Sequence, residues 1–398
     1  MIPDLDSQIG ITVYSTEFNG IGGKIRVEPE DFQVSEIISQ RAQNSINETE
    51  GYAVYKLKKK KIDTNHALSD VFRKKGLRLK ALGLKDASAV TEQFVCSGNK
   101  GKAIENFSTD KYSLENLGFV KKPLSKKDMV SNHFKLKISE STDELSSFTD
   151  YDRVLNFYGY QRFGSKRSVT HLIGKAILQR DFKKAVELIV SFTSIYDSKE
   201  NTEIREKLSD KENYEKYFDQ VPYQMDIERI VLKEMIEHGD SFRAIRSIPI
   251  SLRRFYIQAY QSFIFNQSLS SAFSDGENLF EAQLGDVCFD FHGIIGKYVT
   301  GLDQNLALPF VGYSYYKKTR FDYQISKILA QEEISPKDFF IKEMQEVSSE
   351  GGFRQAAIHC TDYSSNGNTV EFSLSRGSFA TILLREIMKP KDPMIAGF

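Results

Sequence analysis

The chain has 398 residues, 40 % hydrophobic and 12 % aromatic, and its 54 Lys and Arg balance 54 Asp and Glu. That composition excludes global disorder, and the length exceeds what one compact core usually supports, so two domains are expected. A formal net charge of zero gives no whole-chain argument for a polyanionic partner, but residues 1–50 carry three Lys/Arg against nine Asp/Glu, and residues 51–100 twelve against four.

In chain order, Gly20, Gly22 and Gly23 form a loop before a strand expected at about 24–38. Gly-x-Gly-Gly-Lys is not a phosphate loop here, because a strand follows rather than a helix and the Lys-Ser/Thr pair is missing. Residues 52–60 read as a strand, and Thr64 is expected to cap a helix through about residue 75, with Ala67, Leu68, Val71 and Phe72 on its apolar face. Leu79, Ala81 and Leu82 suggest a short strand, and Val90, Phe94 and Val95 a second. The turn between them carries a lone carboxylate, Asp86, beside Lys85, a plausible place for chemistry at a strand end. Residues 97–129 read as a polar surface excursion, and 134–138 as a further strand.

After Gly164 the texture becomes helical. Ser168 is expected to cap a helix to about 179, with further helices at 182–192, 225–238, 252–271 and 322–329. Residues 284–293 are strand-like. From Gly352 the β texture returns, with strands expected at 353–360 and 369–374 joined through Ser364-Ser365-Asn366-Gly367, then a helix at 379–388. The order β-rich, helix-rich, β-rich suggests a discontinuous α+β domain interrupted by a mainly helical insertion.

Cys96, Cys288 and Cys360 are too far apart for a Cys-x-x-Cys pair, so neither a disulfide framework nor a thiolate metal site is suggested. The six histidines are scattered, and no Gly-x-Ser-x-Gly elbow occurs. Glu30 and Asp31 could mimic a paired carboxylate, but on a strand adjacent side chains point to opposite faces. No apolar run approaches ~18 residues and the first residues are acidic, so no membrane span or signal region is expected, and the protein should be cytoplasmic.

Three stretches carry most information. They are Arg26-Val27-Glu28-Pro29-Glu30-Asp31-Phe32; Gly83-Leu84-Lys85-Asp86-Ala87-Ser88-Ala89-Val90-Thr91-Glu92-Gln93; and Asn156-Phe157-Tyr158-Gly159-Tyr160-Gln161-Arg162-Phe163-Gly164. In this order they resemble the three signature stretches of the TruD family of pseudouridine synthases. Weaker matches follow at Ala259-Tyr260-Gln261-Ser262 through Phe265-Asn266, and at Leu374-Ser375-Arg376-Gly377-Ser378-Phe379-Ala380-Thr381 through Arg385-Glu386. The resemblance covers nearly the whole chain.

It implies a pseudouridine-synthase fold around a mixed, largely antiparallel sheet, with residues 1–165 and 346–398 as the catalytic domain and 166–345 as the inserted one. It implies isomerisation of uridine in tRNA, at position 13 of the D-arm, with no cofactor and no metal. Asp86 matches the family's catalytic aspartate, Arg26 its basic partner and Tyr158 its aromatic. Phe32 and Asn156 are candidates for the base pocket; Asn156 could equally hold a loop. Lys85, Gln93, Gln161 and Arg162 look like supporting or phosphate-contacting residues. A basic RNA-lining surface would come from Lys58, Lys59, Lys60, Lys61, Lys166, Arg167, Arg253 and Arg254. The expected partner is tRNA, with other structured RNA as the alternative, and with no membrane and no obligate protein partner. The rival readings are an RNA-binding or RNA-folding protein without turnover, and another RNA-modifying enzyme such as a methyltransferase, for which a Gly-rich cofactor loop is missing.

Overall fold

A computed structural model describes residues 1–46, 49–85, 87–290, 292–316 and 319–398. In the first part of the chain, the strands are β1 (Phe32–Ile38), β2 (Tyr52–Lys59), β3 (Leu79–Ala81), β4 (Val90–Ser97), β5 (Phe107–Ser108), β6 (Tyr112–Val120) and β7 (Met129–Lys137). Later come β8 (Val287–Phe289), β9 (Ile295–Lys297), β10 (Asn305–Phe310), β11 (Gly352–Gln355), β12 (Cys360–Asn366) and β13 (Thr369–Ser375). Among the described residues, nine strands make one sheet in the order β12-β13-β7-β1-β4-β2-β6-β5, with β3 on β4. The β1–β4 pair is parallel and the other pairs are antiparallel. The class is therefore α+β around a mixed, largely antiparallel sheet. A second sheet runs β11-β10-β8-β9 and joins residues on both sides of position 345.

Alternation drives the central strands. Phe32, Val34 and Ile38 of β1 are buried between exposed or half-exposed neighbours. The Thr64–Lys75 helix packs Ala67 and Val71 against Tyr55, Leu57 and Val95, forming a small core on that part of the sheet. The main core is continuous: it runs from Ile9 through Val34, Phe134 and Phe372 into Ile173, Ile257 and Leu308 of the helix-rich part. There the helix Ile250–Ser274 is the longest, and Thr170–Leu178 packs on it at Gly174, where a Cβ would stand 2.1 Å from the Tyr256 carbonyl oxygen. No helix of the described residues is long and apolar enough to cross a membrane.

Several expectations are corrected. The strand expected at 24–38 begins only at Phe32, because Pro29–Asp31 is a 3-10 turn in which the Asp31 carboxylate accepts the Glu28 N–H at 2.9 Å. Glu30 and Asp31 are thus on a turn, not a strand; Asp31 caps it and Glu30 pairs with Lys60. The polar excursion at 97–129 contains β5 and β6, whose buried Tyr112 and Leu114 alternate with polar residues as β6 pairs with β2. Asp63, not Thr64, caps the first long helix, accepting the His66 N–H at 3.1 Å. No side chain caps the Thr170–Leu178 helix, so Ser168 is not its cap. The strand-like 284–293 stretch is reduced to Val287–Phe289. The late hairpin is β12–β13, turning at Gly367 with φ +57°, while Gly352–Gln355 joins the second sheet.

A buried ionic cluster fastens the two ends of the described fold together. Arg385 is fully buried; its Nε donates to Asp6 Oδ2 at 2.5 Å and its Nη1 to Glu386 Oε1 at 3.1 Å. Glu386, equally buried, accepts the backbone N–H groups of Ser15 and Thr16 at 3.0 and 3.1 Å, and Asp6 accepts the Tyr160 hydroxyl at 2.7 Å. The Arg385-Glu386 pair of the last matched stretch therefore holds the Ala380–Met388 helix to the start of the chain and to the third signature stretch.

Candidate active site

A cavity of about 510 Å³ opens over the middle of the large sheet. Its floor is one face of β4, β1 and β7: Thr91 pairs in register with Val34, and Val34 with Phe134. Asn132, two residues before Phe134, points to the same face, since side chains alternate along a strand. Arg26 and Phe32 form one wall, with the Arg26 guanidinium carbon 4.2 Å from the Phe32 ring centre and its Nη1 donating to the Gly397 carbonyl at 2.9 Å. Leu84, Lys85 and Ala89 form a second wall with Asp63 and Thr64. Gln161 and Ser378–Thr381 close the third.

Asp86 lies outside the described residues. The described residues of its stretch are held by a compact set of bonds. Lys85 Nζ pairs with Glu36 Oε1 at 2.8 Å, and the side chain of Glu36 has 0 % exposure. The other Glu36 oxygen accepts the Phe94 N–H at 3.0 Å. Lys85 N–H donates to Thr64 Oγ1 at 2.9 Å, the Thr64 N–H returns a bond to the Lys85 carbonyl at 3.1 Å, and Gln93 Nε2 donates to the Gly83 carbonyl at 2.9 Å. Glycine at 83 has a steric reason: a Cβ there would lie 2.8 Å from Glu36 Oε1. Lys85 thus reaches the cavity while its ammonium faces Glu36, and Gln93 braces the loop from beneath.

Arg26, Phe32, Lys85 and Gln161 line the cavity; Tyr158, Asn156, Arg162 and Gln93 stand behind it. Tyr158 is buried against Phe265, Phe310 and Phe379, with ring centres 5.7, 5.8 and 6.0 Å away. Of that cluster, Phe379 is the aromatic that reaches the cavity. Two guanidinium groups flank Tyr158, Arg354 at 4.0 Å and Arg162 at 5.3 Å from the ring centre. Burial pulls both arginines below their ordinary pKa, and the neighbouring Tyr158 partly offsets this. Asn156 is fully engaged: Nδ2 donates to the Gln355 carbonyl at 3.1 Å and Oδ1 accepts from Arg354 at 2.8 Å. Of its two expected roles, holding a loop is the one that these contacts serve. Arg354, Phe379, Asn132 and Thr91 went unassigned from sequence. Thr91 and Phe379 sit inside matched stretches, whereas Arg354 and Asn132 carry no local signal.

The expected basic surface is partly dissolved. Arg167 is turned inward, donating to the carbonyls of Leu188, Ile189 and Phe192 at 2.8, 2.6 and 2.9 Å and to Glu228 at 3.1 Å. Arg253 is buried on the Ile248 carbonyl and Glu346 at 2.9 and 2.7 Å. Lys59 is buried at the inward end of β2. The two arginines knit neighbouring helices together, because open helix ends and carbonyls are the natural partners of a buried cation. Lys58 pairs with Glu92 at 2.9 Å and Lys60 with Glu30, both at the surface. Lys61 follows them at the strand end, Lys166 lines a separate cavity near Lys391, and Arg254 is exposed with Nε on the Glu346 carbonyl at 2.7 Å.

Comparison with known proteins matches residues 8–387 to the family model described as tRNA pseudouridine synthase D (TruD). A relative from Methanosarcina barkeri, named "Probable tRNA pseudouridine synthase D", is 30 % identical over 99 % of both chains. One of the same name from Methanococcoides burtonii is 29 % identical over 98 % of both. A crystal structure of a TruD protein from Methanosarcina mazei superposes with a TM-score of 0.82 at 27 % identity, covering 99 % of each chain. With residues 8–387 matched by the family model, a relative 30 % identical along nearly its whole length and a shared fold, this chain belongs to the tRNA pseudouridine synthase D (TruD) family of isomerases.

Proposed function

We propose that this chain converts uridine to pseudouridine in tRNA, at uridine 13 of the D-arm, with Asp86 as its one catalytic carboxylate and without a cofactor. One observation carries the reading. Residues of four matched stretches, separated by up to some 350 positions in sequence, line a single cavity: Arg26 and Phe32, Lys85 and Ala89, Gln161, and Phe379 with Thr381.

The reaction breaks the N1–C1′ bond, turns the base and joins C5 to C1′; C5 gives up its proton and N1 ends protonated. Atoms balance without an oxidant or an added group. The carboxylate of Asp86 serves either as nucleophile or as base toward the sugar. Arg26 is its charge partner, since a planar guanidinium matches a carboxylate with two parallel hydrogen bonds. Phe32 and Phe379 offer faces for a base drawn out of its stack, and Tyr158 backs Phe379. On this reading residues 1–165 and 346–398 form the catalytic domain and 166–345 the inserted domain, with RNA in the cleft between them and the enzyme working in the cytoplasm beside its substrate. Lys58, Lys60, Lys61, Lys166 and Arg254 are the phosphate-contacting candidates that the packing leaves near the surface.

The test compares wild type with Asp86→Asn on a D-arm-containing tRNA transcript, mapping pseudouridine to the nucleotide and measuring RNA affinity in parallel. Formation at position 13 by the wild type, lost in Asp86→Asn with binding retained, is the expected result. Binding without turnover in the wild type would move the chain to the RNA-binding reading, and turnover in Asp86→Asn would mean another carboxylate does the work.

A further inference from the structure

We propose that Asn132 and Thr91 read the hydrogen-bonding edge of the target base and make the site prefer uracil to cytosine; this rests on the cavity being the uridine site. The floor of that cavity is otherwise apolar, with Val34 and Phe134 between the two polar residues. Thr91 is 1 % exposed, and among the described residues its Oγ1 is a buried atom without a hydrogen-bond partner. Asn132 Oδ1 is in the same condition. Buried polar groups in folded proteins are paired almost without exception, so two orphans lining one cavity need a reason. Neighbours cannot supply the missing partner. Glu36, opposite Asn132 in the β1–β7 register, offers only acceptor oxygens, already taken by Lys85 and the Phe94 N–H, and so has no hydrogen to give Asn132 Oδ1. The other asparagine near the site, Asn156, has both amide ends engaged.

The chemistry of the pair fits one edge. Uracil offers a carbonyl, an N–H and a carbonyl in a row, O2, N3–H and O4. An asparagine amide supplies one acceptor and two donors. Its oxygen takes N3–H, its nitrogen gives to one flanking carbonyl, and a threonine hydroxyl gives to the other. Thr91 and Asn132 sit two strands apart and two residues out of line, so roughly 12 Å of sheet separates them, room for a pyrimidine ring with a hydrogen bond on either side. Cytosine presents an acceptor at N3 and donors at N4, which oppose the amide in the orientation that suits uracil. A phosphate would need a cation, and neither residue is one.

The experiment uses the full chain with D-arm transcripts carrying either uridine or cytidine at the target position. It measures kcat and KM for pseudouridine formation and the inhibition constant of the cytidine transcript. Thr91→Val keeps the side-chain shape and removes an unpaired hydroxyl, so it is expected to melt at or above the wild-type temperature; Asn132→Ala and Asn132→Asp complete the set. Each variant is expected to lower the uridine-over-cytidine preference by about tenfold or more, the range for losing a base-edge contact. Asn132→Asp, an acceptor-only side chain that suits the cytosine amino group, should move the inhibition constant in favour of the cytidine transcript. A preference unchanged within twofold in folded Thr91→Val and Asn132→Ala overturns the proposal. Should the Asn132 variants fail to fold, Thr91→Val decides alone. A wild type that binds tRNA but makes no pseudouridine defeats the proposed activity instead, and the uridine-against-cytidine binding ratio still reports on these two residues.

Discussion

The buried ionic cluster makes a quantitative prediction. Replacing Arg385 with Met keeps volume and removes the one cation between Asp6 and Glu386, whose side chains, like that of Arg385, have no exposed surface. Two carboxylates then share a dry site. Removing one member of a buried ion pair typically costs about 3–5 kcal/mol, a large share of the ~5–15 kcal/mol that holds a domain folded. Unfolding entropy near 2.1 cal/mol/K per residue comes to about 0.8 kcal/mol/K over 398 residues, so the loss corresponds to a Tm lower by roughly 4–6 °C if the chain melts as one unit. The shared main core makes a single transition the expectation. Asp6→Asn added to Arg385→Met should recover more than about 1 kcal/mol, because it removes one uncompensated charge while the amide oxygen still accepts from Tyr160. Scanning calorimetry of the two variants and wild type is the assay. An Arg385→Met protein melting within 1 °C of wild type, or a double variant no better than the single, would refute the claim that this pairing is what the cluster contributes.

Lys85→Met should both destabilise and impair turnover, since it strands the fully buried Glu36 with only the Phe94 N–H; adding Glu36→Gln should restore about 1–3 kcal/mol, read as the coupling energy of a double-mutant cycle in urea. Gly174→Ala pits helix propensity against packing: the alanine is worth about 1 kcal/mol in a helix interior, but its Cβ would lie 2.1 Å from the Tyr256 oxygen, so a net loss of about 1–2 kcal/mol in thermal unfolding is expected, and a gain would mean the helices can part freely. Burial pushes the His171 imidazole down to about 4 from its ordinary 6.5, with Phe163 and Phe263 packed on its ring. The unfolded chain therefore binds the proton first, and stability falls as pH drops from 6.5 toward 4, by up to about 1.4 kcal/mol per pH unit, levelling below. His171→Leu should flatten that part of the stability–pH curve, and an unchanged slope would assign the acid sensitivity elsewhere.

The parts legible in the sequence were those whose meaning is local. The Pro29-Glu30-Asp31-Phe32 stretch and the turn after Gly83 carry their information in adjacent residues, and Arg26, Phe32, Lys85 and Gln161 do meet at one cavity. What stayed hidden depends on neighbours set by strand register. Asn132 becomes notable only once Glu36 is seen opposite it and occupied, and Thr91 only once it faces Val34. Arginines were the least legible: Arg167 and Arg253 look like surface cations in a polar helical sequence, yet carbonyls at the end of the Phe182–Ser191 helix take Arg167 inward, and the Ile248 carbonyl with Glu346 takes Arg253. The β5–β6 edge was missed because only one face of β6 is apolar, and polar residues such as Glu115 and Asn116 broke the pattern.

On the proposed reading, Arg26 is set in place before any RNA arrives. It is a non-glycine residue at φ +57°, a left-handed conformation that costs a residue with a Cβ roughly 1–2 kcal/mol and persists only where the surroundings over-determine it. Residues Ala396–Phe398 supply that constraint. The Ile25 N–H donates to the Ala396 carbonyl at 2.9 Å and Arg26 Nη1 to the Gly397 carbonyl at 2.9 Å. Gly397 itself sits at φ +92°, and a Cβ there would lie 2.2 Å from the Ile25 carbonyl oxygen, so no other residue permits the approach. Phe398 then meets the edge of Tyr160, whose hydroxyl is held by Asp6 and, through it, by Arg385. One short segment thus fixes the backbone of the first signature stretch and braces the third. The strain at Arg26 is sustained by these contacts of the fold, which is what its proposed role as the charge partner of Asp86 requires, because a charge held in place does not have to reorganise when the reacting base enters.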